Sequence, residues 1–311
     1  MTDIKLFRIE PNEDRAQELA GTSVAIEKTL QTLIERHLEP LVGVRFLASE
    51  YTTGKVHGGR IDTLGLDENH VPVIIEYKRA INENVINQGL YYLDWLLDHK
   101  AEFKLLVMDQ LGSEEAQAID WRFPRLLCIA ADFTRYDQYA VQQINRNIEL
   151  IRYRRYGNDL LLLEMVNTVK EQPVETDGNE NISNGQRPNS RGSYKTVTEF
   201  LASAGQEQQD RFDAIKAFLL ALGDDVQFNA LSYYFAFRRI KNFACVEIHP
   251  QTKTILVFVK IDPDTIAIAP GFTRDVRSVG HYGTGELEIR IRSDDDFERA
   301  KPLLIRSYEA S

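Results

Sequence analysis

The spacing of apolar and polar residues along the chain predicts a short hairpin followed by a helix. Val71 to Lys78 (VPVIIEYK) is a β-branched apolar run ending in charge, and Arg60 to Leu66 (RIDTLGL) is a second such run. The turn-rich Asp67-Glu68-Asn69-His70 stands between them, so the two runs read as antiparallel strands. With the turn centred near Asn69, residues face each other when their numbers sum to about 138, pairing Leu66 with Pro72, Leu64 with Ile74 and Asp62 with Glu76. Downstream, Glu83 to His99 carries apolar residues at Val85, Ile86, Leu90, Leu93, Leu96 and Leu97, a helical repeat that makes Gln88 and Tyr92 neighbours one turn apart.

The pattern lapses later in the chain. Strand-like LLLLEMV ends at Val166, and Lys170 to Ser193 is polar and rich in Asn, Gly, Pro and Ser, which reads as a flexible linker. Regular spacing resumes at Tyr194 with an α+β pattern. Helices are expected near Val197–Ala204 and Gln206–Leu222, and strands near Tyr233–Ile240, Phe243–Ile248, Ile255–Ile261 and Leu287–Ile291. A helix near Asp294–Tyr308 follows. The Gly280-His281-Tyr282-Gly283-Thr284-Gly285 stretch lacks the spacing of a phosphate loop and reads as a tight turn before the Leu287 strand.

The hairpin gathers the chemistry. Opposed Cβ atoms on antiparallel strands lie roughly 5 Å apart, and like charges so placed destabilise the pair. A divalent cation would offset the repulsion between Asp62 and Glu76, and hard cations favour one or two carboxylates completed by water and phosphate. Lys78, two residues beyond Glu76, shares its face of the strand, while the Tyr77 side chain points the other way. An E-x-K triplet at a strand end is also what a solvated terminus looks like, and Tyr92 alone would read as a half-buried core aromatic with Gln88 on the surface. Spacing to Asp62 and the glycines at 58 and 59 separate this segment from that background.

From about Val24 to Leu97 the chain resembles the PD-(D/E)XK nuclease superfamily, and within it the RecB-like and NucS-like endonucleases. The matching segments, in family order, are AIEKTLQTLIE with Glu27, GGRID with Asp62, IIEYKR with Glu76 and Lys78, and QGLYY with Gln88 and Tyr92. Isoleucine stands before Asp62 where the family pattern has proline. The resemblance implies a restriction-endonuclease-like α/β (α+β) core, a mixed sheet flanked by helices, in residues 1–168, then a linker at 169–193 and a smaller α+β domain at 194–311. It implies Mg²⁺ or Mn²⁺ held by Asp62, Glu76 and the backbone carbonyl of Tyr77. Lys78 would orient or deprotonate the attacking water, Glu27 would help place metal or water, and Gln88 and Tyr92 would buttress Lys78 and the substrate backbone. DNA would be the substrate, in repair or in defence against foreign DNA. Glu35, Glu39 and Glu50 also lie upstream, and Glu27 equally suits an acid in the first turn of a helix starting near Thr22 or Ser23. The C-terminal half resembles a small bacterial domain sometimes labelled a transport protein, a label that a segment without a membrane span does not support.

Composition narrows the classes. At 311 residues two domains fit, and the net charge of −10 is spread rather than gathered in one tail. Phosphate binding depends on local basic patches. Ile151 to Tyr156 (IRYRRY) offers one, or else the solvent face of an edge strand. Cys128 and Cys245 lie far apart without metal-ligand spacing, the histidines form no HxH or HExxH cluster, and the N-terminal residues are too charged for a signal peptide. A cytoplasmic protein is expected, with a homodimer and a protein partner of the C-terminal domain as further expectations. Against the metal-dependent nuclease stand two other readings: a catalytically silent nucleic-acid-binding or regulatory protein on a nuclease fold, and a structural protein whose acidic pair is incidental.

Overall fold

The computed structural model describes residues 4–9, 16–23, 27–78, 85–157, 159–169 and 196–311. The chain divides into two compact units, residues 1–172 and 173–311. Residues 170–193 of the segment read as a linker lie outside the described residues.

The first unit opens with strands β1 (Leu6–Ile9), β2 (Ala16–Leu19) and β3 (Gly21–Thr22), then helices α1 (Glu27–Arg36) and α2 (Leu38–Val42). Next come β4 (Val44–Thr52), the short α3 (Gly54–His57), β5 (Arg60–Asp67), β6 (Pro72–Lys78) and α4 (Val85–Asp98). It closes with α5 (Lys100–Leu111), α6 (Ser113–Ala118), β7 (Arg125–Ala130), α7 (Arg135–Gln142), β8 (Asn147–Tyr156) and β9 (Leu160–Val169). The main sheet runs β3-β8-β7-β6-β5-β4, with β9 on the other edge of β8. β6, β7 and β8 are mutually parallel and the remaining pairs antiparallel, so the sheet is mixed. The fold is α/β.

The hairpin register is the expected one: Leu66 faces Pro72 and Leu64 faces Ile74. Both faces of β6 are buried, which a β-branched run without polar alternation requires. Ile74 joins Val85, Leu93 and Leu96 of α4 in one cluster. Val73, Ile75 and Tyr77 alternate to the other face, where Tyr77 meets Thr63 and Thr63 donates to Glu35 of α1. Gly89 lets α4 settle on the sheet, since an added Cβ would lie 2.5 Å from Leu126 Cδ1.

A buried ion-pair cluster closes the turn end of the hairpin. Arg125 donates through Nη1 to Asp67 at 2.9 Å, and through Nε and Nη2 to both oxygens of Glu149 at 2.8 and 2.9 Å. Asp67 also accepts the backbone N–H groups of Asn69 and Val71. Burial opposes the guanidinium charge, but Glu149 and Asp67 outweigh it and hold Arg125 more firmly protonated than usual.

The edge-strand reading of Ile151 to Tyr156 is overturned. β8 is flanked by β7 and β9, Tyr153 and Tyr156 are buried, and Arg152 pairs with Asp132 and Glu164. The first helix, expected from Thr22 or Ser23, is described from Glu27, and Thr22 instead pairs with Arg155 in the sheet. β9 runs on to Val169 rather than stopping at Val166.

The second unit contains α8 (Val197–Ala202), α9 (Gln206–Leu220), β10 (Gln227–Ala230), β11 (Phe235–Arg238), β12 (Asn242–His249), β13 (Thr254–Val259), β14 (Thr273–Asp275), β15 (Leu287–Ile291) and α10 (Asp294–Glu309). Its sheet is antiparallel in the order β10-β11-β12-β13-β15-β14. Phe212, Ile215, Phe297 and Leu304 from α9 and α10 pack on it in a core of its own. Gly280 to Gly285 is an irregular loop leading into β15. Among the described residues no helix is long and apolar enough to cross a membrane.

Candidate active site

The β5–β6 ladder stops at Thr63 opposite Ile75, one pair short of Asp62 and Glu76. Beyond that point carboxylates stand in for backbone partners. The Asp62 N–H donates to Glu76 Oε1 at 3.2 Å, and the Tyr77 N–H donates to Asp62 Oδ2 at 3.0 Å. Glu76 is completely buried, and its Oε2 has no hydrogen-bond partner. Burial first, then the Asp62 charge, pushes the Glu76 carboxyl up to about 9. Asp62 is raised as well, chiefly by burial, with Glu27 and Glu50 adding to it against the Tyr77 N–H and Lys78. The Asp62 charge opposes ionisation of Glu76, and the single hydrogen bond from the Asp62 N–H does not offset burial and repulsion together.

Glu27 lies in the first turn of α1, and its Oε1 accepts from Lys78 Nζ at 3.3 Å. Position in the helix and proximity to the site therefore coincide in one residue. Lys78 is mostly buried and also acts on Asp62 and Glu76 through its charge.

Gln88 and Tyr92 meet as helical spacing requires, with Gln88 Nε2 donating to Tyr92 Oη at 3.3 Å. The same hydroxyl accepts the Arg60 backbone N–H at 3.1 Å, so this pair supports the start of β5, two residues before Asp62. Gly59 makes room for the ring: an added Cβ would lie 2.5 Å from Tyr92 Cε1.

Two further residues join them: Gln31, not singled out from sequence, and Glu50, named there only among the upstream acids. Gln31 is buried on α1, and its Nε2 reaches Glu35, Ser49 and the Asp62 carbonyl at 3.0, 3.1 and 2.7 Å. A polar residue beside Leu30 and three positions before Ile34, on the buried face of an amphipathic helix, was the available signal. Glu50 on β4 takes the left-handed conformation at φ 55° and accepts from Lys28 at 2.7 Å and Arg60 at 2.6 Å. The Lys28 hydrogen bond, ahead of the charges of Lys28 and Arg60, holds its carboxyl below the ordinary value.

Among the described residues no three His, Cys, Asp or Glu side chains approach closely enough to hold a metal ion together. Asp62 and Glu76 instead offer a two-carboxylate oxygen donor set, in which Glu76 Oε2 has no hydrogen-bond partner. That set fits a hard cation that keeps several waters, and does not fit zinc, which takes three or four protein ligands.

The chain is similar over 290 residues to a protein of Haemophilus influenzae (strain ATCC 51907 / DSM 11121 / KW20 / Rd) described as "Uncharacterized protein", with 28% identity across 92% of this chain and 94% of the relative. Residues 197–311 match the family model "Domain of unknown function (DUF5655)". Two solved structures are similar to part of the chain. One is a repair endonuclease from Pyrococcus abyssi, with 18% identity, TM-score 0.27, and coverage of 43% of this chain and 50% of the other. The second is an EndoMS-dsDNA2 complex, with 17% identity, TM-score 0.24, and coverage of 47% and 49%. The chain thus matches about half the length of each solved structure.

Proposed function

We propose that the first unit is a Mg²⁺- or Mn²⁺-dependent nuclease of the PD-(D/E)XK type that hydrolyses DNA phosphodiester bonds. The observation that carries this reading is a fully buried Glu76 with one oxygen unpartnered, set beside Asp62 and Lys78 at the open end of a hairpin. A purely structural carboxylate at that depth would be paired or hydrogen-bonded through both oxygens. Asp62, Glu76 and the Tyr77 carbonyl would hold the cation. When bound, the cation would supply Lewis acidity and a lowered water pKa.

The remaining roles belong to side chains. Lys78, mostly buried and paired to Glu27, presents a positive charge beside the carboxylates, suited to orienting a water and to stabilising charge on a phosphate oxygen. Glu27 fixes the ammonium. Gln88 and Tyr92 fix the β5 backbone that carries Asp62.

The test is cleavage of linear, branched, mismatched and single-stranded DNA with Mn²⁺. Activity is expected in the native protein, with losses of at least about a hundredfold in Asp62→Asn, Glu76→Gln and Lys78→Met, as removal of a transition-state electrostatic group predicts. Mn²⁺ should also raise the unfolding temperature of the native protein and not that of Glu76→Gln. DNA binding without cleavage, and without a Mn²⁺ shift, would establish the silent binding protein instead.

A further inference from the structure

The second unit carries a cavity of about 330 Å³, lined by Phe200, Tyr233, Glu247, His249 and Tyr282 among others. Tyr233 and Tyr282 stack with ring centroids 4.3 Å apart and planes 19° from parallel. Although stacked, they are 39% and 52% exposed, so this pair is not serving the core. Glu247 anchors the Tyr282 backbone and His249 beside them. It is 8% exposed; its Oε1 accepts the Tyr282 backbone N–H at 3.2 Å and its Oε2 meets His249 Nε2 at 2.9 Å.

A second cavity of about 380 Å³ shares His249 and Thr252 with the first and is lined by Arg290 and Arg292. Arg290 is braced by Glu288 at 2.6 Å, and Arg292 is exposed. An aromatic platform and a cationic patch therefore meet across one pair of residues.

We propose that the two cavities form a single groove for single-stranded nucleic acid, with a base stacking on the Tyr233–Tyr282 pair and an adjoining phosphate on Arg290 and Arg292. The cations decide the ligand class. An ammonium or methylated lysine would be drawn to the rings, but it would face two arginines, and the nearby carboxylates are already engaged, Glu247 by His249 and Tyr282 and Glu288 by Arg290. A base needs only the ring face and a phosphate needs the arginines, an arrangement that tolerates any sequence because every base offers a π-face. The inference lies in a different unit from the Asp62–Glu76 site and does not rest on the nuclease reading.

The test uses the full chain in EDTA, titrated against short fluorescein-labelled oligothymidylate and read by anisotropy, with circular dichroism to establish folding of each variant. Tyr282→Ala should weaken binding about tenfold while Tyr282→Phe retains it, as loss of one base stack predicts. Arg292→Glu, at an exposed position, should weaken binding and lower the salt slope by about one. Ultraviolet crosslinking should place the adduct on peptides containing Tyr233 or Tyr282. Unchanged affinity in both Tyr282→Ala and Arg292→Glu, or crosslinks confined to residues 1–172, overturns the proposal. So does a Tyr282→Ala variant that loses only binding to a trimethyllysine peptide.

Discussion

The β5–β6 hairpin buries a charge cluster at each end, and the two are built on opposite terms. At the turn, one guanidinium serves two carboxylates: Arg125 bonds Glu149 through both oxygens and Asp67 through one, and Asp67 takes two backbone N–H groups besides. At the open end, Asp62 and Glu76 face each other, the nearby ammonium of Lys78 pairs with Glu27, and Glu76 Oε2 meets nothing. Arg125, Asp67 and Glu149 are all buried at the turn, whereas at the open end only Glu76 is fully so; closure differs as well. A cluster that completes itself from its own side chains contributes to the fold, whereas one that leaves a buried oxygen open and a carboxyl pushed up to about 9 awaits a proton or a ligand.

The largest effect should come from breaking the closed cluster. Arg125→Met removes the guanidinium that both Asp67 and Glu149 bond and is expected to cost about 3–5 kcal/mol. Urea unfolding followed by Trp95 and Trp121 fluorescence reads this directly, because both tryptophans lie in the first unit. A loss under 1 kcal/mol would erase the distinction between the two ends.

At the open end the sign reverses. The Glu76 carboxyl is raised from 4.5 to about 9 in the fold, so its ionisation penalty is absent below pH 4.5, grows with rising pH between those values and is complete above about 9. Glu76→Gln removes that penalty. In EDTA the variant should match the native protein near pH 4.5 and exceed it by about 2 kcal/mol near pH 8, allowing for relaxation around the buried group. Equal stability of the two proteins at both pH values would show Glu76 already compensated.

The smallest effect concerns support. Tyr92→Phe removes the acceptor of the Arg60 N–H and the partner of Gln88, and should cost about 1 kcal/mol. DNA cleavage, measured alongside, should fall further than stability does if the start of β5 positions Asp62.

What was legible in the sequence followed local periodicity. Strand parity about Asn69 placed Leu64 against Ile74 because a register slip of one residue would turn every apolar side chain to the wrong face. Helical spacing likewise joined Gln88 to Tyr92. The closed cluster left no such mark, since Arg125 stands 58 residues from Asp67 and 24 from Glu149. Glu50 stood only among the upstream acids: its left-handed backbone within a strand and its pairing with Lys28 and Arg60 are announced by no residue preference of glutamate. The IRYRRY strand misled because alternating arginine and tyrosine imitates a solvated edge, while Asp132 and Glu164 neutralise Arg152 from other elements. In the second unit, β10 (QFNA) and β14 (TRD) were not expected from sequence: each is four residues or fewer and holds at most one large apolar residue, unlike the equally short β11 (FAFR).

The exchange of partners at the end of the ladder bears on how the site should be dissected. Because Tyr77 N–H is held by an oxygen of the Asp62 side chain, Asp62→Ala is a backbone mutation as well as a chemical one, stripping an amide of its acceptor and loosening the strand that carries Glu76 and Lys78. Asp62→Asn can keep an oxygen on the Tyr77 N–H while removing the charge and replacing the other oxygen with an NH2 donor. An inactive alanine variant is therefore ambiguous between lost chemistry and a frayed strand, and the asparagine variant separates the two.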